Sequence, residues 1–424
     1  MIVENTQNAP MTWVRSFQRK LYCAAKQNAN RKFGILYDKV VRKDVLQEAW
    51  KRVAVNKGVC GVDMQSIDWI RDEYGVEEYL EEIRQELEGQ SYRPSVVLRA
   101  YIPKPGGKKR PLGIPNVKDR VIQMAVKLII EPLFDADFFD CSFGYRPKRS
   151  NQQAAEMVHR HVNHNKWVVD IDLKGYFDTI PHERLMDCVR KRVSDKRVLH
   201  LIRGWLKAGI LEDGAVKTPQ QGTPQGGVLS PLLSNIYLHE FDRQWNELDG
   251  KLVRFADDMV IMCRQKWQAW RAMAKAKRIL MDLGLTLNAE KSKLVHVRDS
   301  FDFMGFTYRE GYSTRWKRKV RVKLPAKKNL KEMRRKIKQR LKKLPLGVSL
   351  NEAVKVINPL LRGWANYFRI GNSYRAALGL SQYACDQLRL FWRRRKQRKQ
   401  IRGSRRWPDS FFYERGVHYV PKLL

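Results

Sequence analysis

The sequence has no apolar run approaching the ~20 residues that a bilayer-spanning helix needs, which excludes a helical membrane protein. Its N-terminus, M-I-V-E-N-T-Q-N-A-P, lacks a charged segment followed by an apolar one, so export is not expected. Cysteine is sparse, with six residues (Cys23, Cys60, Cys141, Cys188, Cys263 and Cys385) and no C-x2-C pair. That spacing argues against a zinc ribbon or finger and for a reduced, cytoplasmic chain. No His-Glu-x-x-His, P-loop or G-x-G-x-x-G pattern occurs, so the common nucleotide-hydrolysis motifs are missing. Acid is also scarce. Against 83 Lys and Arg there are only 44 Asp and Glu, a formal net charge of +39. A compact body with that self-repulsion implies a polyanionic partner, and counterion release makes nucleic acid the natural one.

What is present is enough for a globular protein. A length of 424 residues with 43% hydrophobic and 10% aromatic side chains allows two or three domains with sizeable cores. Apolar spacing predicts helices over 38–55, 75–87, 120–134 and 266–283. Residues 96–102 and 111–114 read as strands around a P-G-G-K-K turn, a basic tip able to close over phosphates. Residues 217–237 form a Pro/Gly loop entering an apolar helix, in which glycines 222, 226 and 227 permit close backbone approach to a ligand. Residues 285–295 and 301–308 read as strands completing a sheet.

Carboxylates lie at two places where burial is expected. Residues 252–263, L-V-R-F-A-D-D-M-V-I-M-C, read as a β-hairpin with Asp257 and Asp258 at its turn. In 167–180, strand alternation puts Val169 and Ile171 on one face, and Val168, Asp170 and Asp172 on the other. Acids in Val/Ile strands are uncommon unless paired or coordinating metal. A hard divalent cation would offset the repulsion between neighbouring acids, taking one or two carboxylates plus substrate phosphates. In-line phosphoryl displacement by two ions ~3.5–4 Å apart needs carboxylates from more than one element. Asp170 or Asp172, together with Asp257 and Asp258, would supply them.

The character changes after residue 311. From there to the end stand 32 basic and 5 acidic residues, a net of +27 in about a quarter of the chain, more than solubility requires. Leu330, Met333, Ile337 and Leu341 make one narrow apolar stripe among Lys and Arg. Lys327, Lys328, Arg334, Arg335, Lys338, Arg393, Arg394 and Arg395 are the candidate RNA contacts. Interleaved rings, such as Trp364, Phe368, Trp392 and Phe412, suit stacking on single-stranded RNA and equally suit a helical core.

In chain order the motifs are K-P-G-G-K-K-R-P-L-G-I-P (104–115), F-G-Y-R-P (143–147), D-L-K-G-Y-F-D-T-I (172–180), T-P-Q-G-G-V-L-S-P-L-L-S-N-I-Y-L (223–238), F-A-D-D (255–258), G-L-T-L-N-A-E-K-S-K (284–293), F-D-F-M-G-F (301–306) and L-R-G-W-A-N-Y-F-R (361–369). This series resembles the bacterial group II intron-encoded reverse transcriptase/maturase family. The resemblance implies an α+β right-hand polymerase. Residues 61–310 would form fingers and palm around an antiparallel sheet, and 311–400 an α-helical thumb/maturase domain. Residues 1–60 would be a basic helical extension and 401–424 a basic tail. It implies RNA-directed DNA polymerisation with two Mg²⁺ ions, for which Mn²⁺ can substitute, on Asp172, Asp257 and Asp258. The spacing to Phe177 selects Asp172 over Asp170 by that likeness. Lys104 and Arg110 would hold the triphosphate, Phe177 would reject a ribose 2′-OH, Gln225 would contact the nucleotide, and Lys291 matches the lysine of the later palm motif. The implied partners are group II intron RNA as template, a DNA or RNA primer, a DNA target and deoxynucleotides, with no membrane.

The chain departs from the family pattern in three places. F-A-D-D stands where Tyr-Ala-Asp-Asp is commoner, and the ring is kept. Met64 in G-V-D-M stands where a glycine is usual. No Cys-rich His-Asn-His segment follows residue 420, so a primer already present is expected. A domesticated relative in phage defence, CRISPR spacer acquisition or DNA repair is the alternative reading, and a non-catalytic RNA-binding splicing factor a further one.

Overall fold

The computed structural model describes residues 12–103, 109–313, 317–345, 347–395 and 407–424. Among the described residues the strands in chain order are β1 (Val97–Pro103), β2 (Lys109–Ile114), β3 (Trp167–Ile171), β4 (Ile210–Glu212), β5 (Ala215–Lys217), β6 (Lys251–Phe255), β7 (Asp258–Cys263), β8 (Lys293–His296), β9 (Phe301–Phe303), β10 (Phe306–Ser313) and β11 (Arg318–Pro325). They form three sheets, ordered β2-β1-β4-β5, β6-β7-β3-β8 and β11-β10-β9. The second and third are antiparallel throughout; in the first, β1 and β4 run parallel. The fold is thus mixed α and β with predominantly antiparallel pairing.

The sheet β6-β7-β3-β8 is the divider between two cores, and side-chain alternation produces this. Val169 and Ile171 of β3 and Ile261 and Cys263 of β7 enter one core, with the helices Val117–Asp135, Ser230–Gln244 and Lys266–Asp282. Val168 of β3 and Val260 and Met262 of β7 enter the other, with the helices Asn151–Val162, Lys327–Lys342, Leu350–Phe368 and Tyr374–Arg395. Asp170 stands opposite Val260 in the register, so it faces the second core's side. The basic helix Lys327–Lys342 buries Ile337 and Leu341 and turns its cations outward. Trp364, Phe368 and Phe412 are core side chains of this second cluster, not rings open to a nucleic acid. Among the described residues no helix is long and apolar enough to cross a membrane.

Several elements differ from the sequence expectation for identifiable reasons. Residues 301–308 do not complete the central sheet. Met304 (φ 46°) and Gly305 (φ 77°) form a two-residue reverse turn with left-handed φ at both positions, which folds β9 back on β10 and starts a separate sheet. Of 285–295, only Lys293–His296 belongs to a regular strand, because Asn288–Ser292 is drawn out of line toward Asp172. Asp213 (φ 51°) and Gly214 (φ 80°) close an unforeseen hairpin, β4–β5. Residues 38–55 are two helices, Tyr37–Val40 and Lys43–Val55. Met64 sits at φ 58°, in the left-handed region where glycine costs nothing, which accounts physically for a glycine being usual there.

Candidate active site

The β6–β7 hairpin pairs Phe255 with Asp258, leaving Ala256 and Asp257 as a two-residue loop. Ala256 has φ 56°, an uncommon conformation for a residue with a Cβ, so surrounding contacts must hold it. Arg254, wholly buried, does so. Its Nη1 donates to the Ala256 carbonyl at 3.0 Å and to Asn235 Oδ1 at 3.0 Å. Its Nε and Nη2 bind Asp242 at 2.9 and 2.5 Å. Asn235 in turn donates to the Gly144 carbonyl at 2.6 Å. Gly144 has no room for a side chain, since a Cβ there would lie 2.4 Å from Ala256 N. The F-G-Y-R-P segment, the apolar helix Ser230–Gln244 and the F-A-D-D turn are therefore one bonded unit.

The three predicted carboxylates share one electrostatic neighbourhood. Burial raises Asp257, the Asp172 charge raises it further, and Arg110 opposes the shift. Asp258 is raised to about 6 by desolvation first, then by the charges of Asp257, Asp172 and Asp170. Asp170 is also raised to about 6, by burial, with Lys293 opposing from Nζ–Oδ2 at 3.9 Å. Asp172 follows directly after β3 and is engaged by the N-A-E-K-S segment. Asn288 Nδ2 donates to Oδ1 at 3.0 Å, Lys291 Nζ lies 3.3 and 3.4 Å from the two oxygens, and Asn288 N binds the main-chain carbonyl at 2.8 Å. Lys291, matched to the lysine of the later palm motif, is thus ion-paired with Asp172.

Arg110 on β2 lies within electrostatic reach of Asp257. Lys104 lies outside the described residues. Phe177 is half-buried, with its ring edge-on to Tyr176 at 5.4 Å, and its carbonyl accepts from Thr223 N at 2.7 Å. Gln225 is joined to β2 through Gly113 N, which donates to its carbonyl at 2.6 Å. Two of the loop's glycines approach protein backbone closely. A Cβ at Gly222 would lie 2.9 Å from Asp178 main-chain atoms, and one at Gly226 would lie 2.3 Å from the Gly113 carbonyl. Among the candidate RNA contacts, Lys328 lies near Asp258 and Asp170, Arg334 stacks over Tyr383, Arg335 pairs with Glu332 at 2.6 Å, and Arg395 stacks over Trp392. Lys327, Lys338 and Arg394 are exposed, whereas Arg393 is half-buried.

Tyr145 was not foreseen as a site residue. It is about half exposed, has φ 54°, and its hydroxyl is held above the ordinary range by burial and the charge of Asp257. Its ring lies 6.2 Å from that of Phe255. Asp242, Asn235 and Arg254 were also missed. The visible signal was a lone Arg in the apolar run L-V-R-F and two polar residues in the apolar helix that follows the glycine loop.

All the acidic donors here are hard oxygens, and desolvation with mutual repulsion makes those of Asp257 and Asp258 costly, which suits a divalent cation. Among the described residues no three His, Cys, Asp or Glu side chains stand close enough to enclose a metal by themselves.

A hairpin presenting two acids, a third acid just past the end of the adjacent strand, a basic β-hairpin and a glycine loop together define a nucleotidyl-transferring polymerase of the reverse transcriptase class. Residues 102–308 match the family described as reverse transcriptase (RNA-dependent DNA polymerase), and residues 330–408 match the group II intron, maturase-specific domain. Protein YkfC of Escherichia coli K12 is 34% identical over 334 residues, covering 69% of this chain and 87% of that protein. Group II intron-encoded protein LtrA of Lactococcus lactis subsp. cremoris is 38% identical over 237 residues, covering 56% of this chain and 39% of LtrA. Nuclear intron maturase 4, mitochondrial, of Arabidopsis thaliana is 27% identical over 235 residues, 54% of this chain and 28% of that protein. The chain belongs to the group II intron-encoded reverse transcriptase/maturase family, whose polymerase domain is RNA-directed and synthesises DNA. Such domains use divalent metal ions and act on nucleic acid, intron RNA included.

Proposed function

We propose that this protein copies group II intron RNA into cDNA from a DNA or RNA primer, using deoxynucleotides, and binds the same RNA as a splicing maturase. In this reading 61–310 act as fingers and palm, 311–400 as thumb and maturase domain, 1–60 as a basic extension and 401–424 as a tail. The observation that carries it is the convergence of charge from Asp172, just past β3, Asp257 in the hairpin turn and Asp258 at the start of β7. These three would hold two Mg²⁺ ions, with Mn²⁺ able to substitute. Bound there, the ions would activate the primer 3′-OH and neutralise charge on the leaving pyrophosphate.

The chain's own residues do the rest. Arg110 and Lys104 clamp the triphosphate with charge-assisted hydrogen bonds. Phe177 occupies the space that a ribose 2′-OH needs, and Gln225 orients the incoming nucleotide. Lys291 balances Asp172 until metal and substrate arrive. The basic outer face of helix Lys327–Lys342 and the cations at 393–395 follow the RNA backbone. The match to the maturase-specific domain favours this reading over a domesticated role or a non-catalytic splicing factor. The test is primer extension on an RNA template, with deoxynucleotides against ribonucleotides. Deoxynucleotides should be incorporated preferentially, and Phe177→Ala should erode that preference about tenfold or more, about 1.4 kcal/mol. Equal use of both substrates by the unaltered protein would remove the DNA-polymerase reading.

A further inference from the structure

Helix Lys266–Asp282 has its side chains sorted against the usual sense. It buries Ala269, Ala272, Ala276, Ile279 and Leu280 against the central sheet. Outward it presents Trp267, 61% exposed, and Trp270, 59% exposed, with Met281 at 64%. A tryptophan can bury about 150–250 Å², so a helix that packs alanines inward and leaves two indoles in water presents an apolar surface that calls for a partner.

The charge around the rings states what kind. Lys266, Arg271, Lys277 and Arg278 share this exposed side, and Arg271 lies 5.8 Å from the Trp267 ring centroid. Among the described residues none of these four cations has a carboxylate partner, whereas Lys275, turned toward the body, pairs with Asp249 at 2.5 Å. Nor does another ring stack on Trp267 or Trp270 among the described residues. Flat π faces between uncompensated cations fit a polyanion carrying unpaired planar rings. A duplex would offer such rings only its backbone.

The face is separate from the carboxylate centre. The buried side of this helix joins the core of Val169 and Ile171, whereas Asp170 stands on the opposite face of the same sheet, with Val168 and Val260. We propose that Trp267 and Trp270, with Arg271, Lys277 and Arg278, form a second binding face for unpaired RNA, on the side of the central sheet away from the polymerase centre. The choice of RNA over single-stranded DNA rests on the function proposed above; stacking and charge alone accept either.

The test uses the full chain with its cleft saturated by an RNA template annealed to a dideoxy-terminated DNA primer. Binding of fluorescein-labelled twelve-residue oligoriboadenylate is then followed by anisotropy. Base–aromatic stacking is worth ~1–3 kcal/mol per base, so Trp267→Ala/Trp270→Ala should raise Kd about 30-fold or more. Trp267→Tyr/Trp270→Tyr should stay within a few-fold of the unaltered protein. Arg271→Ala/Lys277→Ala/Arg278→Ala should flatten the slope of log K against log salt by about 2. Primer extension on a short pre-annealed template should be unchanged in all of them, which separates this site from the polymerase reading. Unchanged oligoriboadenylate binding in the double alanine variant overturns the proposal. So does an effect of that variant confined to self-association in sedimentation or to binding of phosphatidylserine vesicles. A variant that loses oligodeoxyadenylate but not oligoriboadenylate binding overturns the choice of RNA.

Discussion

The buried Arg254–Asp242 pair makes a prediction in which stability and catalysis separate. Arg254→Met leaves the Asp242 carboxylate buried without its partner, and breaking a buried pair from one side costs about 3–5 kcal/mol. Replacing both, Asp242→Leu/Arg254→Met, removes the unpaired charge and should recover most of that loss, since buried pairs exchanged for apolar residues are often neutral. Catalysis should not recover with it. The Ala256 carbonyl loses the donor at 3.0 Å that holds the turn, a bond worth about 1–1.5 kcal/mol. The left-handed conformation at Ala256 costs about 1–2 kcal/mol. A shift of about 1.4 kcal/mol away from that geometry is tenfold in population, so the single-turnover extension rate should fall about tenfold. Urea unfolding and single-turnover primer extension, run on the two single variants and the double, measure both arms. A double variant with native stability and an unaltered extension rate would refute the claim that this network positions the F-A-D-D turn.

Three further outcomes follow from named contacts. Lys291→Ala should lower the Mg²⁺ concentration for half-maximal extension, because the ammonium 3.3 Å from Asp172 competes with the metal; an unchanged or raised value contradicts the counterion role. Met64→Gly should raise stability by roughly 0.5–1 kcal/mol in chemical denaturation, since the exposed side chain gains little from packing and the backbone at φ 58° suits glycine; destabilisation would show that Met64 packs usefully. Asp119, buried beside the Tyr92 hydroxyl and Ser95 N, is raised to about 6 from an ordinary 3.8, chiefly by burial. A raised carboxylate binds its proton more tightly when folded, so its contribution is full below about pH 4 and is lost as pH rises through 6. That loss is on the order of 3 kcal/mol, and Asp119→Asn should flatten the stability-against-pH curve between those limits.

The hairpin carrying Asp257 and Asp258 and the strand leading to Asp172 were legible in the sequence because both rest on local signals, namely period-2 apolar runs around acids. The division of β3 between two cores followed from the same alternation. What was not legible depends on long-range partners. The Arg254 side chain finds Asp242 and Asn235 across 12 and 19 residues, and nothing local shows that these three converge on Ala256. Lys291 reaches Asp172 across 119 residues, an ion pair that no local signal shows. The separate third sheet was hidden because Met304 adopts left-handed φ in a Met-Gly turn, where Asn or Asp would have announced it. The aromatics of 364–413 fitted two readings, and burial in the second core selects the core one for Trp364, Phe368 and Phe412.

The central claim, that Asp172, Asp257 and Asp258 act together on one nucleotidyl transfer, is tested most directly by Asp→Asn at each position. Single-turnover deoxynucleotide addition on a primed RNA template is measured at saturating Mg²⁺, with template–primer affinity measured in parallel. Each variant should lose cDNA synthesis by several orders of magnitude while holding template–primer within a few-fold of the unaltered protein. Near-normal synthesis in any one of the three would remove that residue from the site, with Asp170 the acid then to be examined in place of Asp172.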